Sequence, residues 1–350
     1  MGGKSMSFWR RLAGGSLILA LAISVTNWDT AQARSPGHHH RRATHKRVVH
    51  GRHYNPPYAA IVIDAKTGQI LHDENANLPR HPASLTKIMT LYMLFEQLEA
   101  GTLKLDSRLP VSADAARQPP TKLYVKPGKT IAVEDAIQAL VTRSANDVAV
   151  VVAEAIAGGE AEFARLMTRR ARALGMSGTT YVNASGLPAD EQITTARDQA
   201  LLGRVIQERF PEYYHYFSVV WFRYRGRNIH NHNALLGQVE GVDGIKTGYT
   251  KASGYNLTAS VKRDGKHIIA VVLGGKSNAK RDARMRELIA ANMPEPTVRM
   301  ANPGTDDAVP VPKRRGPAAA ARQSTRLRKK NTRRQAVQYH KPPRYDYHYQ

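Results

Sequence analysis

The run from Leu85 to Leu98 constrains this chain more than any other feature. It carries Ile88, Met89, Leu91, Tyr92, Met93, Leu94 and Phe95, so a helix built from it is apolar nearly all round. Such a helix has no side to turn to water and must be enclosed by other elements. Pro82-Ala83-Ser84 opens it and Gly101 ends it. Lys87 is the anomaly inside it. A cation on a helix that is apolar on every side has to point into a cleft.

The elements that enclose this helix can be read on both sides of it. Ala59–Asp64 is β-rich, residues 65–68 form a turn, and Gln69–His72 reads as the returning strand. Val133–Ala157 is a helical region broken near Thr142–Ala145. Ala161–Leu174 and Thr195–Arg209 are further helices. From Gly241 the pattern changes. Gly244–Thr250, Tyr255–Lys262 and Lys266–Leu273 read as strands, the last two joined by Arg263-Asp264-Gly265, and Asn278–Ala291 closes as a helix. Strands at both ends with helices between them predict an α+β fold, an antiparallel sheet completed by both chain ends plus a helical subdomain.

Charge sharpens the domain boundaries. The 350 residues carry a net charge of +24. Residues 1–54 hold nine Lys/Arg and one Asp, and residues 304–350 hold twelve Lys/Arg and three Asp. These flanks, at +8 and +9, hold most of the excess and lack apolar periodicity, so both are expected to be disordered. Within the first, residues 1–33 have the make-up of a signal peptide: Lys4, Arg10 and Arg11, an apolar run from Leu12 to Val25, and Ala31-Gln32-Ala33. The expected organisation is a signal peptide (1–33), a basic linker (34–54), a catalytic domain (55–293) and a basic Pro/Ala/Arg-rich tail (294–350). Export to the periplasm or cell envelope follows, with cleavage near Ala33. No nucleic-acid module accompanies the charge, so nucleic acid is not an expected partner. The absence of cysteine excludes a disulfide scaffold, a thiolate metal site and a thiol nucleophile. His38-His39-His40 is read as a solvated tract in the linker.

Four polar features bear on the chemistry. In Ser84-Leu85-Thr86-Lys87 the hydroxyl and the amine lie one helical turn apart. A serine is a poor nucleophile without a base, and a lysine can be that base if burial or other cations lower its pKa. Ser144-Ala145-Asn146 sits between helical stretches, where a serine can relay protons and an asparagine can hold an amide. Its simpler reading is helix capping. In Lys246-Thr247-Gly248-Tyr249 a cation and a hydroxyl on a strand can bind a carboxylate, and Gly248 permits close backbone approach. The same tripeptide occurs at Lys66-Thr67-Gly68, where it reads as turn chemistry only. Asn183-Ala184-Ser185-Gly186-Leu187 is a polar loop, read mainly as a turn.

The order of these motifs resembles that of penicillin-binding proteins and serine β-lactamases. The segments His81–Thr90, Arg143–Asp147, Asn183–Leu187, Thr195–Asp198 and Asp243–Thr250 are similar to those of the D-alanyl-D-alanine carboxypeptidases, low-molecular-mass penicillin-binding proteins of serine peptidase family S11. The similarity runs from about Tyr58 to Met293. It implies a D,D-carboxypeptidase that removes the terminal D-alanine from peptidoglycan stem peptides through an acyl-enzyme on Ser84. Lys87 would be the base and Ser144 a proton relay. Asn146 would contact the peptide amide. Lys246 and Thr247 would hold the terminal carboxylate, and the backbone N–H groups of Ser84 and Tyr249 would form the oxyanion hole beside Gly248. β-Lactam antibiotics would acylate Ser84. No metal or cofactor is implied.

A D,D-endopeptidase would use the same residues. A class A β-lactamase would need a Glu-x-x-x-Asn loop, and residues 175–187 contain no Glu. Many members of the family add a small β-domain and an amphipathic membrane helix. The chain after Met293 is short and basic, so association with an anionic envelope polymer or lipid is the expectation there.

Overall fold

The computed structural model describes residues 57–295. The segments read as signal peptide and basic linker, and all but the first two residues of the tail, lie outside the described residues. In chain order the elements are β1 (Ala59–Asp64), β2 (Ile70–Glu74), α1 (Thr86–Glu99), β3 (Arg108–Pro110), α2 (Ala113–Arg117), β4 (Thr130–Ala132), α3 (Val133–Thr142) and α4 (Asn146–Ala157). Then come α5 (Glu160–Ala173), α6 (Ala196–Arg209), α7 (Pro211–Tyr214), β5 (Trp221–Tyr224), β6 (Arg227–His230), β7 (Val242–Thr250), β8 (Gly254–Arg263), β9 (Lys266–Gly275) and α8 (Asn278–Asn292).

The main sheet has five antiparallel strands in the order β2-β1-β9-β8-β7. The first hairpin of the chain therefore docks on the last three strands, as the sequence pattern requires. Successive side chains of a strand point to opposite faces. Ala59, Ile61 and Ile63 of β1, with Ile269, Val271 and Leu273 of β9, join the core on the helical side. Ala60, Val62, Ile268, Ala270 and Val272 meet Met285, Leu288 and Ile289 of α8 on the other. Both faces are covered, which is why these two strands read as continuous apolar runs.

α1 occupies the place its composition demands. Every residue from Thr86 to Phe95 is buried. Its aromatic rings meet Phe210 edge-on, at 5.0 Å from Tyr92 and 5.7 Å from Phe95. Glu96, at the end of this run, pairs with Arg170 and Arg209.

The structure departs from the sequence pattern at the first turn and at Ser84. The second strand begins at Ile70 because Gln69 is held in the turn by an N–H bond to Thr67 Oγ1, while Lys66 and Thr67 donate to Asp64. Ser84 does not lie within the α-helix. It lies in a 3₁₀ turn, Ala83–Leu85, that leads into α1. The short elements β3, β4, α2, α7, β5 and β6 were not anticipated.

Candidate active site

Ser84 lines a cleft of about 530 Å³ between the helical region and β7. Lys87, one turn further on, lies beneath it and is fully buried. Its Nζ is 3.1 Å from Ser84 Oγ, 2.8 Å from Asn146 Oδ1 and 2.5 Å from the Ser185 carbonyl oxygen. The last two partners can only accept. A neutral amine has two N–H bonds and one lone pair, so Asn146 and Ser185 take the N–H bonds and the lone pair is left for the Ser84 hydroxyl. Burial, and then the cation of Lys246, hold the Lys87 pKa well below its ordinary value, against the opposing pull of Asp147 and Glu160.

The surroundings are built to keep this triangle rigid. Gly186 has φ +85°, and a Cβ there would lie 1.8 Å from the Ala83 carbonyl oxygen. Only glycine lets the 183–187 loop lie against the nucleophile segment and aim the Ser185 carbonyl at Lys87. Asn183 Oδ1 accepts from the N–H groups of Ser185 and Gly186, and Glu160 accepts from Ala184 N–H. The loop is thus a turn, as its composition indicates, and also a supplier of one of the lysine's acceptors. On the other side β7 passes so close that a Cβ on Gly248 would lie 3.0 Å from Ser84 N. Asn256 of β8 donates to the carbonyls of His81 and Pro82 and accepts from Gly274 N–H, which ties the segment before Ser84 to the sheet.

Ser144 and Asn146 face the same cleft. Ser144 is not a helix cap. The residue before α4 is Ala145, and Ser144 has φ +58° with a buried Oγ that has no hydrogen-bond partner. A hydroxyl so placed is free to pass a proton. Asn146 Nδ2 donates to the Pro119 carbonyl, so the amide is oriented and its oxygen is committed to Lys87. Asp147 accepts from the N–H groups of Leu123 and Val125 and holds the wall of the cleft that begins at Pro120 and Thr121.

The third motif runs along β7. Thr247, Gly248 and Tyr249 line the cleft, and Lys246 is buried behind them with its Nζ donating to the Thr247 carbonyl. Burial, and then Arg281, lower the Lys246 pKa to about 7. Arg281, from α8, was missed by sequence reasoning. It is nearly fully buried, pairs with Asp282 and also lines the cleft. His232 was missed too. It stands at the cleft between Asn231 and Asn233, whose amides donate to the carbonyls of Val219 and Gly244. Its pKa falls to about 4, first through burial and then through Lys246 and Arg143. Arg281 at the cleft and Lys246 behind its strand give that side of the cleft a positive potential suited to a carboxylate. The second Lys-Thr-Gly is structural: Thr67 bonds Asp64, Lys66 reaches the Gly265 carbonyl, and neither lines the cleft. Among the described residues no group of three or more His, Asp and Glu side chains is placed to hold a metal ion.

A serine on a 3₁₀ turn, a buried lysine 3.1 Å from it, a second hydroxyl and a Lys-Thr-Gly strand meet in one cleft, on the antiparallel sheet and helical region of a penicillin-binding-protein fold. The family model for D-alanyl-D-alanine carboxypeptidase, peptidase family S11, matches residues 55–277, and the chain belongs to that family. It is 35% identical over 236 residues to the D-alanyl-D-alanine carboxypeptidase DacA of Escherichia coli, covering 65% of this chain and 59% of that protein. It is 32% identical over 237 residues to DacF of Bacillus subtilis, covering 66% and 60%. The chain thus spans about 60% of the length of these curated relatives. A more distant relative, at 28% over 235 residues, is a D-alanyl-D-alanine endopeptidase of Pseudomonas aeruginosa. Among solved structures, penicillin-binding protein D2 of Listeria monocytogenes in its ampicillin-bound form matches with a TM-score of 0.62 and 32% identity, over 67% of this chain and 96% of that one.

Proposed function

We propose that the chain is a serine D,D-carboxypeptidase that removes the terminal D-alanine from peptidoglycan stem peptides. The observation that carries the reading is the Ser84–Lys87 pair, 3.1 Å apart, with the Asn146 and Ser185 oxygens placed to accept the other N–H bonds of the buried lysine. Ser84 Oγ attacks the carbonyl carbon of the last peptide bond and its proton passes to Lys87. The oxyanion forms against the backbone N–H groups of Ser84 and Tyr249, a preorganised pair of donors. The proton then moves through Ser144 to the leaving nitrogen as the C–N bond breaks and D-alanine departs. Water attacks the ester, gives its proton to Lys87 and restores Ser84. Lys246, Thr247 and Arg281 bind the substrate's terminal carboxylate. β-Lactams enter the same cleft and acylate Ser84.

The protein acts outside the cytoplasm, on the strength of the basic, apolar and small-residue pattern in residues 1–33. Among the described residues no helix is long and apolar enough to cross a membrane. The +9 of residues 304–350 supports association with an anionic envelope polymer.

Release of D-alanine from a pentapeptide tests the activity. Ser84→Ala is expected to lower it at least about a thousandfold, as removal of a nucleophile does. Lys246→Ala should reduce turnover of a free-acid pentapeptide far more than of its C-terminal amide. An equal loss on both would contradict the carboxylate role. Cleavage of crosslinked dimers with no release from monomeric pentapeptide would identify an endopeptidase instead.

A further inference from the structure

We propose that the outer face of the β5–β6 hairpin binds the glycan strand of the substrate polymer beside the cleft. The inference rests on the peptidoglycan reading above, and is tested without relying on catalysis.

The register pairs Trp221 with His230, Phe222 with Ile229, Arg223 with Asn228 and Tyr224 with Arg227. Opposed residues of an antiparallel pair share a face, and the face alternates along each strand. Phe222 is buried and joins the core, with Tyr224 and Ile229 packed against it. The other face therefore presents Trp221, His230, Arg223 and Asn228 together, and all four are exposed. Trp221 is 60% exposed, the highest value among the exposed large apolar side chains of the described residues. Its ring meets the His230 ring edge-on at 4.4 Å.

Trp221 shares one exposed face with His230, Arg223 and Asn228, a surface that a partner with an apolar side and polar edges would cover. The chemistry of this face selects one. The apolar C–H face of a pyranose stacks on an indole. Arg223, Asn228 and His230 supply donors and an acceptor at the ring's edge for hydroxyl and acetamido groups. A lipid would need a larger apolar surface, and an edge-to-edge copy of this chain would bring the arginines of two hairpins together.

The position fits as well. His230 is two residues before His232, which lines the cleft, and Asn231 N–H donates to the Val220 carbonyl, so the hairpin runs directly into the cleft wall. Tyr249, also exposed and with its ring tilted 4.2 Å from that of Tyr255, adds an aromatic surface within the cleft. A stem peptide seated at Ser84 leads back to the sugar chain that bears it. The hairpin offers that chain a surface connected to the cleft.

The test is co-sedimentation of the full chain with glycan strands stripped of their stem peptides. The wild type should bind, Trp221→Ala should weaken binding about tenfold, as loss of an aromatic anchor does, and Trp221→Tyr should retain most of it. Thermal unfolding checks that the variants remain folded. Failure of the wild type to bind stripped strands, or equal binding by Trp221→Ala, would overturn the proposal. So would a Trp221→Ala effect seen only on anionic vesicles or on self-association. These outcomes are independent of D-alanine release, so the activity and the glycan surface stand or fall separately.

Discussion

Lys87 and Lys246 are two buried amines beside one cleft, and each has a pKa pressed downward. For acylation the sign is direct. Lys87 must be neutral, so acylation by penicillin should fall on the acid side as Lys87 takes up its proton. The charge of Lys246 is one cause of the depression. Lys246→Gln should therefore raise the Lys87 pKa and move the acid limb of the acylation–pH profile to higher pH, with a limb that stays in place or moves down contradicting the coupling. For stability the sign also follows. A lysine at about 7 when folded and at its ordinary value when unfolded leaves the unfolded chain binding more protons between those two values. Stability should rise with pH across that window and lose this dependence below it. Lys246→Met should flatten the rise, measured as the unfolding midpoint between pH 7 and pH 9. The triad of motif residues was legible in the sequence because each motif is local. Arg281, Asn256, Glu160 and His232 were not, since each acts from an element far along the chain and carries no spacing signature.

The elements hold this chemistry through close backbone approaches. Gly186→Ala would drive a Cβ into the Ala83 carbonyl, push the 183–187 loop away and remove the Ser185 acceptor from Lys87. Penicillin acylation should fall about a hundredfold or more, a loss typical of displaced catalytic groups. Asn256→Ala should cost about 1–3 kcal/mol of stability by leaving the carbonyls of His81 and Pro82 and the Gly274 N–H without this partner. Denaturant unfolding reads that loss. An unchanged midpoint would mean that the asparagine does not anchor the nucleophile segment. The long elements could be read from pattern: α1 from its all-round apolar run, β1 and β9 from their continuous apolar stretches. The short ones could not. β3 and β4 have three residues each, too few for a period to show. β5 and β6 do alternate around Arg225-Gly226, a readable hairpin that the surrounding basic residues obscured.

The whole molecule separates its charge from its chemistry. Residues 55–303 hold 31 Lys/Arg and 24 Asp/Glu, a net +7, whereas the two flanks hold the remaining +17. Deleting residues 304–350 should leave acylation of Ser84 unchanged and reduce association with anionic envelope polymer at low salt, an effect that disappears as salt rises. Unchanged association at low salt would assign the tail no such role. Every step of the proposed reaction passes through an acyl-enzyme on Ser84. It is tested most directly by reacting the protein with benzylpenicillin and measuring intact mass, then mapping the modified peptide. One penicilloyl group per chain is expected, on Ser84, and none on Ser84→Ala. No adduct on the wild type, or the same adduct on Ser84→Ala, would contradict it.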